Sequence, residues 1–331
     1  MLTYIVRRLF QMALTLFIVS VISFLIVALA PGDPLASQLD PKKKDADLER
    51  RRDEIGYDDP VVKKYLDFYG KFFQDLGAVI YADDGYAWKL NSETAKEPVL
   101  PTMWRKAGVT LPLVLVTTLV VWCLSFPVGI YSALRRNTFK DRAITVISYT
   151  LIAFPGFWIA LLIIGFITKT LGIPIVSPET IGVELEGPRE FFDRTWHVAI
   201  PAIVASLTGV AVLTRYVKGQ MLEVMDQDYI RTAKAKGLDA DTVYYKHALR
   251  PASLPFVTML AGLLPSLFGG SVVFEAIYAW PGLGRWFLEA VFTRDIYIVM
   301  TNLFVGSALT LIGILISDLM LSVVDPRVRL S

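Results

Sequence analysis

Cysteine is almost missing from this 331-residue chain, and that absence is informative: Cys123 stands alone, so no disulfide framework exists within it. The two histidines, His197 and His247, are isolated, with no metal-ligand partner at useful spacing, and packing roles are expected of both. No GxxxxGK(S/T) loop, HExxH, GxSxG or CxxC pair occurs, and the apolar segments hold no Ser-Lys, Ser-His or metal constellation. The chain is therefore expected to be no enzyme, with no catalytic residue, metal site or cofactor of its own. Nucleic acid is an equally poor fit. The densest basic run, Lys42–Lys44 with Arg50–Arg52, is interleaved with Asp45, Asp47, Glu49, Asp53 and Glu54, which makes it a solvated helix face.

What the chain has in excess is apolar surface. It is 54% hydrophobic with a mean hydropathy of +0.51, too apolar for a soluble domain of this size. Runs long enough to cross about 30 Å of hydrocarbon lie near Leu9 to Ala30, Val109 to Leu134, Ala143 to Thr168, Trp196 to Tyr216, Pro255 to Ala279 and Thr301 to Val324. An all-α membrane protein with six transmembrane helices follows. Cations cluster on alternate connections: Arg7 and Arg8, then Arg135, Arg136, Lys140 and Arg142, then a basic stretch after residue 226, then Arg327 and Arg329. That bias places both termini in the cytoplasm. The first run follows Arg7-Arg8 and ends Ala28-Leu-Ala30 like a secretory signal, but its length and Pro31 point to a retained helix. Cys123, inside an apolar run, is expected to be a small buried side chain. Pro155-Gly156, Pro201, Pro255, Pro265 and Gly269-Gly270 interrupt the later runs, as tolerated where packed neighbours or a wet cavity satisfy the freed backbone groups.

By this topology residues 1–31 form an N-terminal transmembrane helix. Residues 32–101 form a large extracytoplasmic segment between helices 1 and 2, and 102–331 a five-helix core. In the outer segment Asp59-Pro60 reads as a cap and first-turn pair. Val62, Tyr65, Leu66, Tyr69, Phe72, Phe73 and Leu76 then share one apolar face. Asp83-Asp84-Gly85 reads as a turn, and Val99, Leu100, Met103 and Trp104 as an interfacial segment before the second span.

The most distinctive stretch is polar and lies between two apolar runs, Asp226 to Arg250. Ile230, Ala233, Lys234 and Gly237 fall at helical spacing, with Asp228 near the start and Lys234 and Lys236 near the end, which suits a short helix with its dipole complemented. Gly237 sits where a helix end wants a residue tolerant of positive φ. Asp239 can cap a second helix with Val243, Tyr244, His247 and Ala248 on its apolar face, stopping at Arg250-Pro251. This two-helix hairpin, within 218–254, is either a docking handle on the cytoplasmic side or a solvated loop that only anchors topology. Glu275 and Asp318 are the main carboxylates within the apolar runs, near opposite interfaces. Structural pairing or capping is the favoured role, gating the other.

Four stretches carry a resemblance: Arg7-Arg8 with Ala30-Pro-Gly-Asp-Pro34; Asp228-Tyr-Ile-Arg-Thr-Ala-Lys-Ala-Lys-Gly-Leu238 with His247-Ala-Leu-Arg250; Ala279-Trp-Pro-Gly-Leu-Gly284 with Arg294-Asp295; and Asp325-Pro-Arg-Val-Arg329. The chain resembles the inner-membrane permease subunits of binding-protein-dependent ABC importers, in the dipeptide and oligopeptide branch. The resemblance implies a type I importer permease of the cytoplasmic membrane, working by alternating access. Its implied partners are a homologous second permease, two ATP-binding subunits that hold the ATP-Mg, an extracytoplasmic substrate-binding protein and a peptide substrate. It also implies that the hairpin is the family's ATPase-coupling loop, comprising Tyr229, Arg231, Thr232, Ala233, Lys234, Ala235, Lys236, Gly237 and Leu238. Arg231, Thr232 and Ala233 stand where the general motif has Glu-Ala-Ala, and Gly237 keeps its glycine. Nickel, glutathione or another small solute is the alternative cargo. An ion-driven secondary transporter using Glu275 and Asp318 is the alternative of another class.

Overall fold

The computed structural model describes residues 2–29, 59–81, 85–172, 176–180, 186–269 and 272–324. The Ala30–Pro34 motif, the basic run 42–52, Asp83 and Asp84, Gly270 and the Asp325–Arg329 motif lie outside the described residues. In chain order the helices are α1 (Leu2–Ala28), α2 (Val61–Tyr81), α3 (Val99–Leu134), α4 (Phe139–Ala153), α5 (Gly156–Leu171), α6 (Pro188–Met225) and α7 (Asp228–Ala235). A π-helical turn, Thr242–Ala248, leads to α8 (Leu249–Ala252), α9 (Leu254–Met259), a 3-10 turn (Leu260–Gly262), α10 (Leu263–Gly269), α11 (Val272–Ile277), α12 (Leu283–Thr293) and α13 (Ile296–Val324). Among the described residues there is no sheet, only one antiparallel bridge between Asn91 and Pro98.

Four helices, α1, α3, α6 and α13, are long and apolar enough to cross a membrane. Two bent pairs raise the number to six if each is one broken span: α4 with α5 at 97°, and Thr242–Ala252 with Leu254–Ser266 at 41°. The sharper bend has a local cause. Phe154, the residue before Pro155, is extended (φ −99, ψ 137), because the proline ring excludes the α region from its predecessor. By contrast α3 runs through Pro112 and Pro127, and α6 through Pro201, without a break. Val99, Leu100, Met103 and Trp104 are not a separate interfacial segment: they open α3, and the first three are buried while Trp104 is half exposed.

The chain divides into two compact units, Met1–Val109 with Gly282–Leu311, and Thr110–Pro281 with Ile312–Ser331. In the first, α1 packs on α2: Phe24 meets Tyr65 edge-on at 5.3 Å, and the Ser20 and Tyr65 hydroxyls are 2.7 Å apart. The buried face of α2 is Phe68, Tyr69, Phe72, Asp75 and Ala78, whereas Val62, Leu66 and Phe73 are exposed. The expected apolar face was thus rotated, because it counted aromatics and passed over a buried carboxylate. Asp75 accepts the backbone N–H groups of Lys89 (2.9 Å) and Leu90 (2.8 Å), which holds the following loop against the helix. Phe68 and Phe72 continue the aromatic cluster onto Tyr297 and Phe304 of α13, with ring centroids 6.2 and 5.1 Å apart. Asp59 pairs with Lys63 at 2.8 Å just ahead of α2.

Asp295 is fully buried where α13 begins. It accepts the Ile298 N–H (3.2 Å) as a cap, the Ser92 and Thr94 hydroxyls (2.6 and 2.9 Å) and the Thr94 N–H (3.1 Å). Glu93 lies buried beside it. Burial, reinforced by the Asp295 charge and opposed by Lys96 and Lys64, pushes the Glu93 carboxyl from 4.5 up to about 7.

In the second unit α4 and α5 pack on α6, and α11 on α5. Gly313 on α13 passes so close to Ala261 that an added Cβ would overlap the Ala261 carbonyl; nearby, the Ser317 hydroxyl donates to Val257 O at 3.2 Å. Cys123 is exposed, not buried as expected, because it continues the stripe of Leu111, Leu115 and Leu119 that α3 leaves uncovered. Glu275 is fully buried and accepts the Thr110 hydroxyl at 2.9 Å, and Asp318 is half-buried on α13. His197 is buried, with its Nδ1 2.9 Å from the Asp193 carbonyl and 3.4 Å from the Asp193 carboxylate, so it has a polar partner one turn away where packing alone was expected, while His247 is half-buried.

Glu93 carries a prediction whose sign is fixed by linkage. The folded state retains a proton that the unfolded chain releases near 4.5, so its stabilising contribution is complete below that pH and is lost as pH rises towards about 7. Between pH 4.5 and 8 the stability of the wild type should fall relative to Glu93→Gln by about 3 kcal/mol, read from unfolding of the two purified proteins at each pH.

Candidate functional site

The polar stretch between α6 and α9 forms the hairpin expected of it, though its second arm differs. Gln227 is extended and α7 starts at Asp228, which sets a negative charge on the first turn, with Lys234 on the last. The helix ends in a complete Schellman motif: Gly237 N–H bonds to Lys234 O at 3.0 Å, and Leu238 N–H to Ala233 O at 3.4 Å. Gly237 has φ +76, a conformation in which a side chain would be strained. After the turn, Asp239 accepts the Thr242 N–H at 2.9 Å, and this bond holds its carboxyl below the usual range.

The second arm opens as a π-helical turn and does not stop at Arg250-Pro251. Pro251 lies within α8, a four-residue helix, and the chain continues through Ser253 into α9. α8 follows directly on the π-helical turn, with Ala248 and Leu249 both in the α region, so the arm runs on past the proline without a break. Val243 and Ala248 are buried and Tyr244 and His247 half-buried, which matches the expected face.

Two residues fix the hairpin to the membrane-spanning helices. Ile230 (0% exposed) and Ala233 (8%) enter an apolar cluster with Ile130 and Ala133 of α3, Leu213, Val217 and Met221 of α6, and Val243, Ala248, Ala252 and Phe256. The other eight residues expected to contact a partner, Tyr229, Arg231, Thr232, Lys234, Ala235, Lys236, Gly237 and Leu238, are exposed. Lys234 Nζ lies 5.4 Å from the centre of the Tyr244 ring, joining the two arms across the turn. The exposed Arg231–Asp228 pair at 3.3 Å contributes little to stability. The outward face is thus mixed in charge and apolar content, and it is presented by a helix held rigidly from behind.

Next to the hairpin, Asp141 ties three elements together. It is buried and accepts the Ser132 hydroxyl (2.5 Å), the Asn137 N–H (3.0 Å) and Lys218 Nζ (2.5 Å), from α3, the turn and α6. Asp141 and Lys218 lie just outside the apolar runs at 143–168 and 196–216, in connections that read as solvated, so their sequence positions carry no sign of the pairing. Among the described residues no cluster of three or more His, Cys, Asp or Glu could hold a metal ion.

Two family models match the chain: "Binding-protein-dependent transport system inner membrane component" over residues 125–330, and its N-terminal counterpart, "Binding-prot-dependent transport system membrane comp, N-term", over residues 1–114. Among similar proteins, the oligopeptide transport system permease protein AppB of Bacillus subtilis is 37% identical, covering 99% of this chain and 100% of that one. The di/tripeptide transport system permease protein DppB of Pseudomonas aeruginosa is 30% identical over 99% of each chain. The glutathione transport system permease protein GsiC of Escherichia coli K12 is 31% identical over 99% of each. A solved structure of the MetNI methionine ABC transporter overlays with TM-score 0.49 at 18% identity, over 68% of this chain and 99% of that chain, too distant to bear on the fold.

The anchoring of α7 is testable by itself. Ile230→Ala removes a fully buried side chain, a change that costs about 2–5 kcal/mol in packed cores. Tryptic cleavage at Lys234 and Lys236 in the purified protein should then accelerate by roughly 30-fold. A surface change such as Thr232→Ala should leave it unaltered.

Proposed function

The chain belongs to the family of binding-protein-dependent transport system inner membrane components, and on that premise we propose that it is the permease subunit of an ATP-driven importer of di- and oligopeptides. As a membrane component of such an importer it carries no ATP site motif; hydrolysis falls to partner subunits. The peptide cargo is supported by the AppB and DppB relatives at near full coverage. GsiC, at 31% over nearly the whole chain, supports glutathione as the second reading of the cargo, itself a small peptide with free carboxylates. The ion-driven alternative gains nothing from the family, and Glu275 is already engaged by Thr110.

The observation that carries the mechanism is the anchoring of α7. We propose that Tyr229, Arg231, Thr232, Lys234, Ala235, Lys236, Gly237 and Leu238 meet an ATP-binding subunit, while Ile230 and Ala233 pass its movement into α3 and α6. To move a two-state equilibrium from 1:99 to 99:1 takes about 5.5 kcal/mol of differential interaction. A helix seated in a packed cluster can transmit a load of that order. On this reading the hairpin and both termini face the cytoplasm, residues 32–101 face outward, and a type I arrangement pairs this chain with a second, homologous permease. Two ATP-binding subunits sit inside and a substrate-binding protein delivers cargo from outside.

Lys234→Glu and Gly237→Val test this. Both variants should insert and assemble, yet ATP-dependent peptide uptake in vesicles should fall by about ten-fold or more, equal to about 1.4 kcal/mol of lost coupling. Wild-type uptake and wild-type stimulation of ATP hydrolysis in both variants would remove the hairpin from the mechanism.

A further inference from the structure

Within the first compact unit, α2 presents three faces, one of which is apolar and bare. Phe68, Tyr69, Phe72 and Asp75 are buried, and Lys63, Asp67 and Gln74 are exposed polar groups on another side. Between them Val62, Leu66, Phe73 and Ile80 fall within about 40° of one another at 100° per residue. Each is between 55% and 70% exposed. Left in water, such a stripe forgoes the burial that apolar surface favours.

The helices on which α2 packs indicate what covers it. Tyr65 meets Ser20 and Phe24 of α1, and Tyr69 and Phe72 meet Phe304 of α13, with ring centroids 5.3 and 5.1 Å away. No charge interrupts α1 from Leu9 to Ala28 or α13 from Ile296 to Ser317. Each stretch is about 30 Å long at 1.5 Å per residue, all of which the hydrocarbon of a bilayer uses up, so the ends of the stretches lie at its edges. Ser20 is eight residues from the end of α1 and Phe304 eight from the start of α13, about 12 Å inside the same edge. Beside this contact α1 is itself bare apolar surface, with Ile18, Ile22, Leu25 and Ile26 exposed. The charges of α2 at this level are paired, Lys63 with Asp59 at 2.8 Å and Lys71 with Asp67 at 2.7 Å, which lowers the cost of holding them near lipid. α2 is not among the helices apolar enough to cross a membrane, and an apolar stripe beside a charged face is the form of a helix that lies in the bilayer interface.

We propose that α2 is seated in the leaflet at the Ala28 end of α1, with Val62, Leu66, Phe73 and Ile80 against phospholipid acyl chains. By the bias of Arg7 and Arg8 that leaflet is the outer one. The proposal rests on α1 and α13 crossing the bilayer and holds for any cargo. Seated in this way, α2 keeps the loop that Asp75 grips through the Lys89 and Leu90 N–H groups at the lipid surface.

The test uses the complete importer in vesicles of phosphatidylethanolamine and phosphatidylglycerol. In a Cys123→Ser background, a nitroxide is attached in turn to Leu66→Cys, Phe73→Cys, Lys63→Cys and Gln74→Cys. Its collisions with oxygen, which concentrates in lipid, are compared with its collisions with a neutral nickel chelate, which stays in water. Because hydrocarbon excludes the polar chelate, the oxygen-to-nickel ratio should be at least about ten-fold higher at positions 66 and 73 than at 63 and 74. Equal ratios at all four positions would put the stripe in water and overturn the proposal. Shielding of positions 66 and 73 from both reagents would show another protein chain on the stripe and overturn it equally. In the unlabelled wild type, a phospholipid with a carbene-generating group midway along an acyl chain should attach to Leu66 or Phe73. Attachment to α1 with none on α2 would again overturn the seating. A wild type that takes up no peptide would overturn the importer reading and leave this one standing.

Discussion

An eight-residue helix cannot hold itself together in water, since the cost of nucleating it exceeds what so few hydrogen bonds return. α7 exists because Ile230 and Ala233 are removed from solvent against α3, α6 and the arm that follows. That single burial decides much else. It fixes which face of α7 looks outward, and it keeps eight exposed residues in one orientation. It also makes the hairpin part of the same packed body as the helices whose motion a transporter needs. A basic loop tethered only at its ends would bind a partner and transmit nothing.

Much of this hairpin was legible in the sequence because its signals are local. Asp228, Lys234 and Gly237 stand where a helix start, a last turn and a Schellman glycine belong, and Asp239 caps the next arm as its position suggests. Four of the six apolar runs were legible for a similar reason, since length alone reports α1, α3, α6 and α13. The run at 143–168 bends by 97°, and in place of the run at 255–279 the bent pair is Thr242–Ala252 with Leu254–Ser266. What composition could not report was direction. Cys123 is apolar and lies in an apolar run, yet points away from its neighbours. Val62, Leu66 and Phe73 share an apolar face with Tyr69 and Phe72 by spacing, yet they are exposed, and the buried face turns around Phe68, Phe72 and Asp75. The aromatic count of α2 is high on both sides, so hydrophobic periodicity had too little contrast to choose between them.

Charged groups were the least legible part. Asp75, Asp295 and Asp141 each sit buried with two or more donors, and in sequence each looks like an ordinary surface carboxylate. Their partners are distant in the chain or are backbone N–H groups of loops, which carry no residue signature. Each serves as a staple where backbone would otherwise be left without hydrogen bonds at the edge of an apolar region, a condition that lipid and protein interiors both penalise.

The π-helical turn from Thr242 to Ala248 fixes how many residues the second arm contains. Such a turn accommodates a residue that an ordinary helix would not, and an α-helix advances about 100° per residue. Loss or gain of one amino acid here would swing Ala252 and Phe256 out of the apolar cluster, whatever residue was involved. Chain length through the arm is therefore under as tight a constraint as side-chain identity, and variants of this segment should accumulate as substitutions, with insertions and deletions shut out.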